Sequence, residues 1–156
     1  MSQKSTTHDS FTIERTYGAS AERVFAAWAD PAQKRVWFAE GDGWTLESFD
    51  VDFREGGFEK SRFRFGNGPT MGNDTFHHDI VPNRRIVSSY AMLVGDERIS
   101  VSLATIEIEP AGKSTKLRFT EEGVFFGSSD GVKGRRNGWI ELLNRLDVHL
   151  SSTAEG

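Results

Sequence analysis

The sequence predicts one α+β domain: a curved antiparallel sheet of about seven strands wrapped around a long C-terminal helix, with two short helices after the first strand. Three observations predict it. Strand-like segments separated by short turn-forming stretches fill the middle of the chain, and consecutive strands joined by short turns build an antiparallel meander. Two short helical patterns stand between the first strand and the second. The final stretch, "GVKGRRNGWIELLNRLDVHL" at 131–150, repeats apolar residues at three- and four-residue steps, one face of an amphipathic helix. A long twisted sheet curling around a single helix does not close tightly everywhere, so a cavity between sheet and helix is expected.

The elements follow in order. Residues 1–8, small and polar, are expected to be a frayed tail. "SFTIERTY" alternates and reads as a strand. Ser20 is placed to N-cap "AERVFAAWAD", with Glu22 in the first turn where the helix dipole favours a negative charge. Asp30–Pro31 breaks and restarts the chain, and "PAQKRVWFA" forms a second short helix. Six strands follow, over 45–53, 58–65, 73–81, 85–93, 98–109 and 115–122, separated by "EGG", "GNGPTMG", "PNR", "VGDE" and "PAGKS". The long helix, about 30 Å at 1.5 Å per residue, closes a single domain over 9–151, and 152–156 is expected to be a second frayed tail. Trp139, Leu142, Leu143, Leu146 and Leu150 form its apolar face, yet Gly134 and Gly138 sit one turn apart at its head. Each glycine in a helix costs roughly 1 kcal/mol relative to alanine. Two there imply that space is left for a close backbone or for something that is not protein.

Composition narrows the function. The 156 residues include 12 Phe and 4 Trp, enough for one substantial core, because each buried aromatic removes about 150–250 Å² from water. A formal charge of −4 and basic pairs no longer than Arg84–Arg85 and Arg135–Arg136 argue against nucleic acid. The second pair is read as solvating the outer face of the helix. With no cysteine, disulfides, thiolate metal sites and cysteine nucleophiles are excluded. The N-terminus lacks the apolar stretch of a signal peptide, and no run approaches the roughly 20 apolar residues of a membrane span. A cytoplasmic protein without membrane insertion is expected.

Several stretches carry a resemblance. "ASAERVFAAWADPAQKRVWFA", "FDVDFREGG" and the "GW" followed by leucines in the last helix resemble the activator of heat-shock-protein-90 ATPase homologue family. "HDIVPNRRIV", "RISVSLATIEI" and "TEEG" resemble a bacterial branch of single-domain members. That family is part of the START/birch-pollen-allergen (SRPBCC) superfamily, so the resemblance, over about residues 11–150, implies the helix-grip fold. It leaves function open, since the superfamily includes lipid carriers, hormone receptors, cyclases and chaperone activators.

Strand parity gives candidate site residues, because alternate side chains share a face. With Lys60, Arg62 and Arg64 in water, Glu59, Ser61, Phe63 and Phe65 face inward and Phe58 outward. Phe76, His78 and Ile80 go together, as do Ile86, Ser88, Tyr90 and Met92. Ser100, Ser102, Ala104, Ile106 and Ile108 align, and so do Leu117, Phe119 and Glu121. Two buried carboxylates demand partners. Glu59 and Glu121 are therefore expected in one connected network with His78 or Tyr90, completed by Ser100 and Ser102. Phe125 and Phe126 are placed in a loop before the long helix, tucked into the core or forming a lip over the cavity mouth.

"HHD" at 77–79 invites a metal reading, but His77 and Asp79 share a strand face while His78 points away, so only two could hold one ion. His77 is read as solvent-facing. No nucleophile elbow is present, and "FGNGPTMGN" lacks the Walker lysine. No catalytic residue, metal or cofactor is assigned.

These readings converge on a protein that binds a small apolar or aromatic molecule between sheet and helix. The expected ligand-binding residues are Glu59, Phe63, His78, Tyr90, Ser102, Glu121, Phe125, Gly138 and Leu142. Two alternatives stand beside it: a chaperone-activator-like interaction module, and a cyclase- or hydrolase-type enzyme using the same cavity. A homodimer and a chaperone partner are left open.

Overall fold

In the computed structural model, which describes residues 4–127 and 131–152, the strands are β1 (Thr6–Tyr17), β2 (Trp44–Val51), β3 (Phe58–Phe65), β4 (Met71–Val81), β5 (Arg85–Val94), β6 (Glu97–Ala111) and β7 (Ser114–Phe126). The helices are α1 (Ala21–Ala29), α2 (Pro31–Lys34), which runs into a π-helical turn at Arg35–Ala39, and α3 (Gly131–Ser152). The seven strands form one antiparallel sheet in the order β1-β7-β6-β5-β4-β3-β2. The sheet curves around α3, which is the helix-grip fold.

Local chemistry explains the joints. Ser20 caps α1 by accepting from Arg23 N at 3.2 Å, and Asp30 caps α2 by accepting from Ala32 N at 3.1 Å, with Pro31 at the first helical position. The β4–β5 turn is closed by Arg84 N donating to Val81 O, with Asn83 at φ 65°, a left-handed conformation that asparagine tolerates. Gly57 has no room for a side chain, because a Cβ would lie 2.1 Å from Asp52 O.

Two sequence expectations fall at the ends. Residues 6–8 are not frayed: they pair in β1, with Thr6 opposite Phe126. Ser152 is the last residue of α3, and the remainder of the expected C-terminal tail, 153–156, lies outside the described residues.

The core fills only part of the space between the layers. Leu143, Leu146 and Leu150 of α3 are buried with Phe11, Ile13 and Tyr17 of β1, Val24 and Trp28 of α1, and Leu117 and Phe119 of β7. Trp139 stacks on Phe119 at 4.1 Å and on Trp28 at 6.0 Å. Trp37 donates Nε1 to Ala27 O at 2.9 Å. Tyr17 donates its hydroxyl to Leu143 O at 2.9 Å, tying β1 to the middle of α3. Leu143, Leu146 and Leu150 thus pack the C-terminal half of α3 into the core. The first half of α3, with Gly131, Gly134 and Gly138, faces open space instead.

Candidate functional site

That space is a cavity of about 380 Å³, within the range of small-molecule sites, about 300–1,000 Å³. Its walls come from the π-helical turn, from strands β2 to β7 and from α3. The π-helical turn gives Phe38, β2 gives Trp44, and β3 gives Phe63. From β4 and β5 come Met71 and Met92, from β7 Phe125, and from α3 Trp139 and Leu142. A Cβ built on Gly138 would meet nothing within 4 Å, so this glycine faces open space. Glu141 and Arg145 also line the cavity. Burial lowers the Arg145 guanidinium, while Glu141, Asp42 and Glu40 act the other way.

Behind one wall lies a closed ionic cluster. Glu121 is fully buried on β7. It accepts from Tyr90 Oη at 2.5 Å through Oε1, and from Ser102 Oγ at 2.7 Å and Arg135 Nη1 at 2.8 Å through Oε2. Tyr90 Oη also accepts from Arg135 Nη1 and from Trp139 Nε1, both at 3.1 Å. Arg135 Nη2 donates to Ser100 Oγ at 2.5 Å. The guanidinium lies over the Phe125 ring, 5.3 Å from its centroid. Gly123 makes this possible, since a Cβ there would lie 2.6 Å from Ser102 Oγ. The tyrosine hydroxyl donates once and accepts twice, its full capacity. Burial raises its pKa, and the Glu121 charge raises it further. Burial would lower the Arg135 guanidinium, but Tyr90 and Glu121 outweigh it and raise it.

A second cluster lies deeper, under the short helices. Lys34 Nζ donates to both oxygens of Glu59, at 2.7 and 3.0 Å, and sits 4.6 Å from the Phe38 ring centroid. His77 Nε2 is 3.6 Å from Glu59 Oε1, and His77 Nδ1 is hydrogen-bonded to Ser88 Oγ at 2.8 Å. Burial pushes the Glu59 carboxyl up, but Lys34 and His77 together overcome it and hold it at about 2. Trp28 Nε1 and His77 Nε2 have no hydrogen-bond partner among the described residues. Both residues line a space of about 40 Å³ beside Glu59, roomy enough for one water.

The expected site residues divide accordingly. Phe63, Tyr90, Phe125, Gly138 and Leu142 line the large cavity. Ser102 and Glu121 stand behind its wall, and Glu59 lines the small space. His78 is corrected: it points outward, where its Nε2 meets Ser89 Oγ at 2.8 Å. His77 is corrected with it, being 2% exposed rather than solvent-facing. The cause is a bulge. The β4–β5 register skips from His77↔Ser88 to Asp79↔Val87, so His78 is the extra residue and parity counted back from Ile80 inverts there. Among the described residues no hydrogen bond links the Glu59 and Glu121 clusters, so the single expected network is two.

Three further placements differ. Phe125 is on β7, opposite Ser100, and is buried rather than in a loop; residues 128–130 of that loop lie outside the described residues. Phe65 is 57% exposed and packs on Trp44 at the sheet margin. Arg135 faces inward while Arg136 is exposed. Arg135 and Lys34 are two charged residues that sequence reasoning missed. Arg135 stands four residues before Trp139 and Lys34 three before Trp37, so helical spacing carried the signal for both.

The chain matches the family model described as "Activator of Hsp90 ATPase homolog 1-like protein" over residues 18–151. A crystal structure from Rhizobium loti is 48% identical, with 94% of this chain and 99% of that one covered and a TM-score of 0.87. A structure from Rhizobium leguminosarum is 36% identical, covering 97% and 99%, with a TM-score of 0.92. At 18% identity, a protein of the dynemicin biosynthetic locus shares the fold over 92% of this chain and 47% of its own, with a TM-score of 0.69. No curated protein matches the chain.

Proposed function

The chain belongs to the Activator of Hsp90 ATPase homolog 1-like family, and from that premise we propose that it binds a small, largely apolar molecule in the cavity between the sheet and α3. The observation that carries this reading is the cavity itself. About 380 Å³ is left open between aromatic and methionine side chains, under a helix that places Gly134 and Gly138 over it. A helix meant only to complete a core would carry side chains there, since glycine costs helix stability and buries nothing. Trp44, Phe63, Met92 and Leu142 offer apolar walls, and the Arg135–Glu121 pair stiffens the rear wall without presenting net charge. Native mass spectrometry of protein purified gently from its own host tests the proposal. A co-purified small molecule, released on unfolding, is expected; a chain that carries and takes up none speaks against it.

A second reading follows the family's name. On the outer face of the sheet Phe58 pairs with Phe76 across β3 and β4, and Val101 and Leu103 are exposed on β6. These are the side chains a large ATPase partner would cover. Stimulation of a purified heat-shock-protein-90 ATPase that is lost on Leu103→Glu would favour this reading over the first.

A further inference from the structure

Two polar side chains in the cavity wall carry donors with no partner among the described residues. Ser61 on β3 and Asn73 on β4 face each other across the strands, 2% and 8% exposed, and both line the large cavity. Asn73 Oδ1 accepts from Thr75 Oγ1 at 2.7 Å, which fixes the amide and leaves its two N–H donors on the other side. Among the described residues no hydrogen bond reaches Asn73 Nδ2 or Ser61 Oγ, and neither atom is sealed from the cavity. Two other polar groups of this cavity are spent. Tyr90 Oη is saturated, and Arg135 is held by Glu121, Tyr90 and Ser100.

We infer that the cavity's ligand carries a carbonyl oxygen, which Asn73 Nδ2 and Ser61 Oγ hold by hydrogen bonds while its apolar body lies against Phe63, Met92, Trp139 and Leu142. This rests on the ligand-binding reading and adds the ligand's chemistry to it. Donors from two side chains on adjacent strands suit one sp² oxygen with two lone pairs. Arg135, which lines the same cavity, is already paired with Glu121 at 2.8 Å and brings no free charge to this wall. A pure hydrocarbon would leave both donors buried and unmatched, at a cost of about 1–3 kcal/mol each.

The test uses two fluorescent probes, the uncharged naphthyl ketone Prodan and its carbonyl-free propyl analogue, titrated into the full chain. Asn73→Leu and Ser61→Ala are each expected to weaken Prodan binding about tenfold and the analogue less than about twofold. Ser61→Ala removes one atom, so it keeps the test valid should Asn73→Leu disturb the Thr75 contact. Equal weakening of both probes, or of neither, overturns the inference and leaves the cavity reading standing. Gly138→Leu should weaken both probes; binding of both that survives it means they sit elsewhere, and cavity reading and inference fall together.

Discussion

Arg135 Nη1 lies 2.8 Å from Glu121 Oε2, joining the first turns of α3 to the middle of β7 behind the cavity wall. The carboxylate is fully buried and the arginine side chain 13% exposed. A buried charge without its partner is costly. Arg135→Met is therefore predicted to destabilise the fold by about 3–5 kcal/mol in urea denaturation at neutral pH. Adding Glu121→Gln should recover part of that loss. Strictly additive single and double variants would show that the two groups do not interact.

The Tyr90 hydroxyl is saturated by Glu121, Arg135 and Trp139, so its role is structural rather than ligand-facing. Tyr90→Phe is predicted to cost about 2 kcal/mol, the scale of a hydrogen bond to a charged group. Affinity for an apolar probe should hardly change. A large loss of affinity with stability intact would make the hydroxyl a ligand contact instead.

Acid stability reads the Lys34–Glu59 pair. Glu59 is held at about 2, below its ordinary 4.5. A carboxyl depressed by folding contributes stability that is fully present above its unfolded pKa and is lost as pH falls through the folded one. The window here is pH 4.5 down to about 2. At 1.36 kcal/mol per pH unit the contribution is about 3 kcal/mol. Denaturation curves taken across that window should show stability falling more steeply in the wild type than in Glu59→Gln. Parallel slopes would place the acid sensitivity elsewhere.

The bulge at His77–His78 predicts opposite fates for neighbouring residues. His77→Ala removes a buried ring that contacts Phe53, Ser88 and Glu59, and should cost about 2 kcal/mol. His78→Ala, on the outer face, should stay within about 0.5 kcal/mol. Equal effects in thermal unfolding would mean that both rings are equally packed.

Much of this was legible in the sequence, for physical reasons. Short turns between alternating segments forced the meander, and helical spacing marked Trp139, Leu143, Leu146 and Leu150 as the face the sheet must cover. The inward sides of β5, β6 and β7, and of β3 as far as Phe63, followed from parity, which put Glu59, Tyr90, Ser102 and Glu121 on the inner face. Parity failed on β4, because nothing in "TFHHDIV" marks the extra residue of a bulge. Asn73 was lost by the same inversion. Lys34 and Arg135 were missed because charged side chains are usually solvated. Their inward spacing becomes informative once Glu59 and Glu121 are recognised as buried acids needing cations.

The central claim is that the space under the first half of α3 is a ligand site, and Gly138 tests it most directly. A Cβ there meets nothing within 4 Å, so Gly138→Leu should enter the cavity from the helix and leave the melting temperature unchanged or higher. Fluorescence titration with the neutral apolar probe N-phenylnaphthylamine should give saturable one-to-one binding to the wild type and at least about tenfold weaker binding to the variant. Equal affinity for both proteins, with the variant folded and equally stable, would contradict the account.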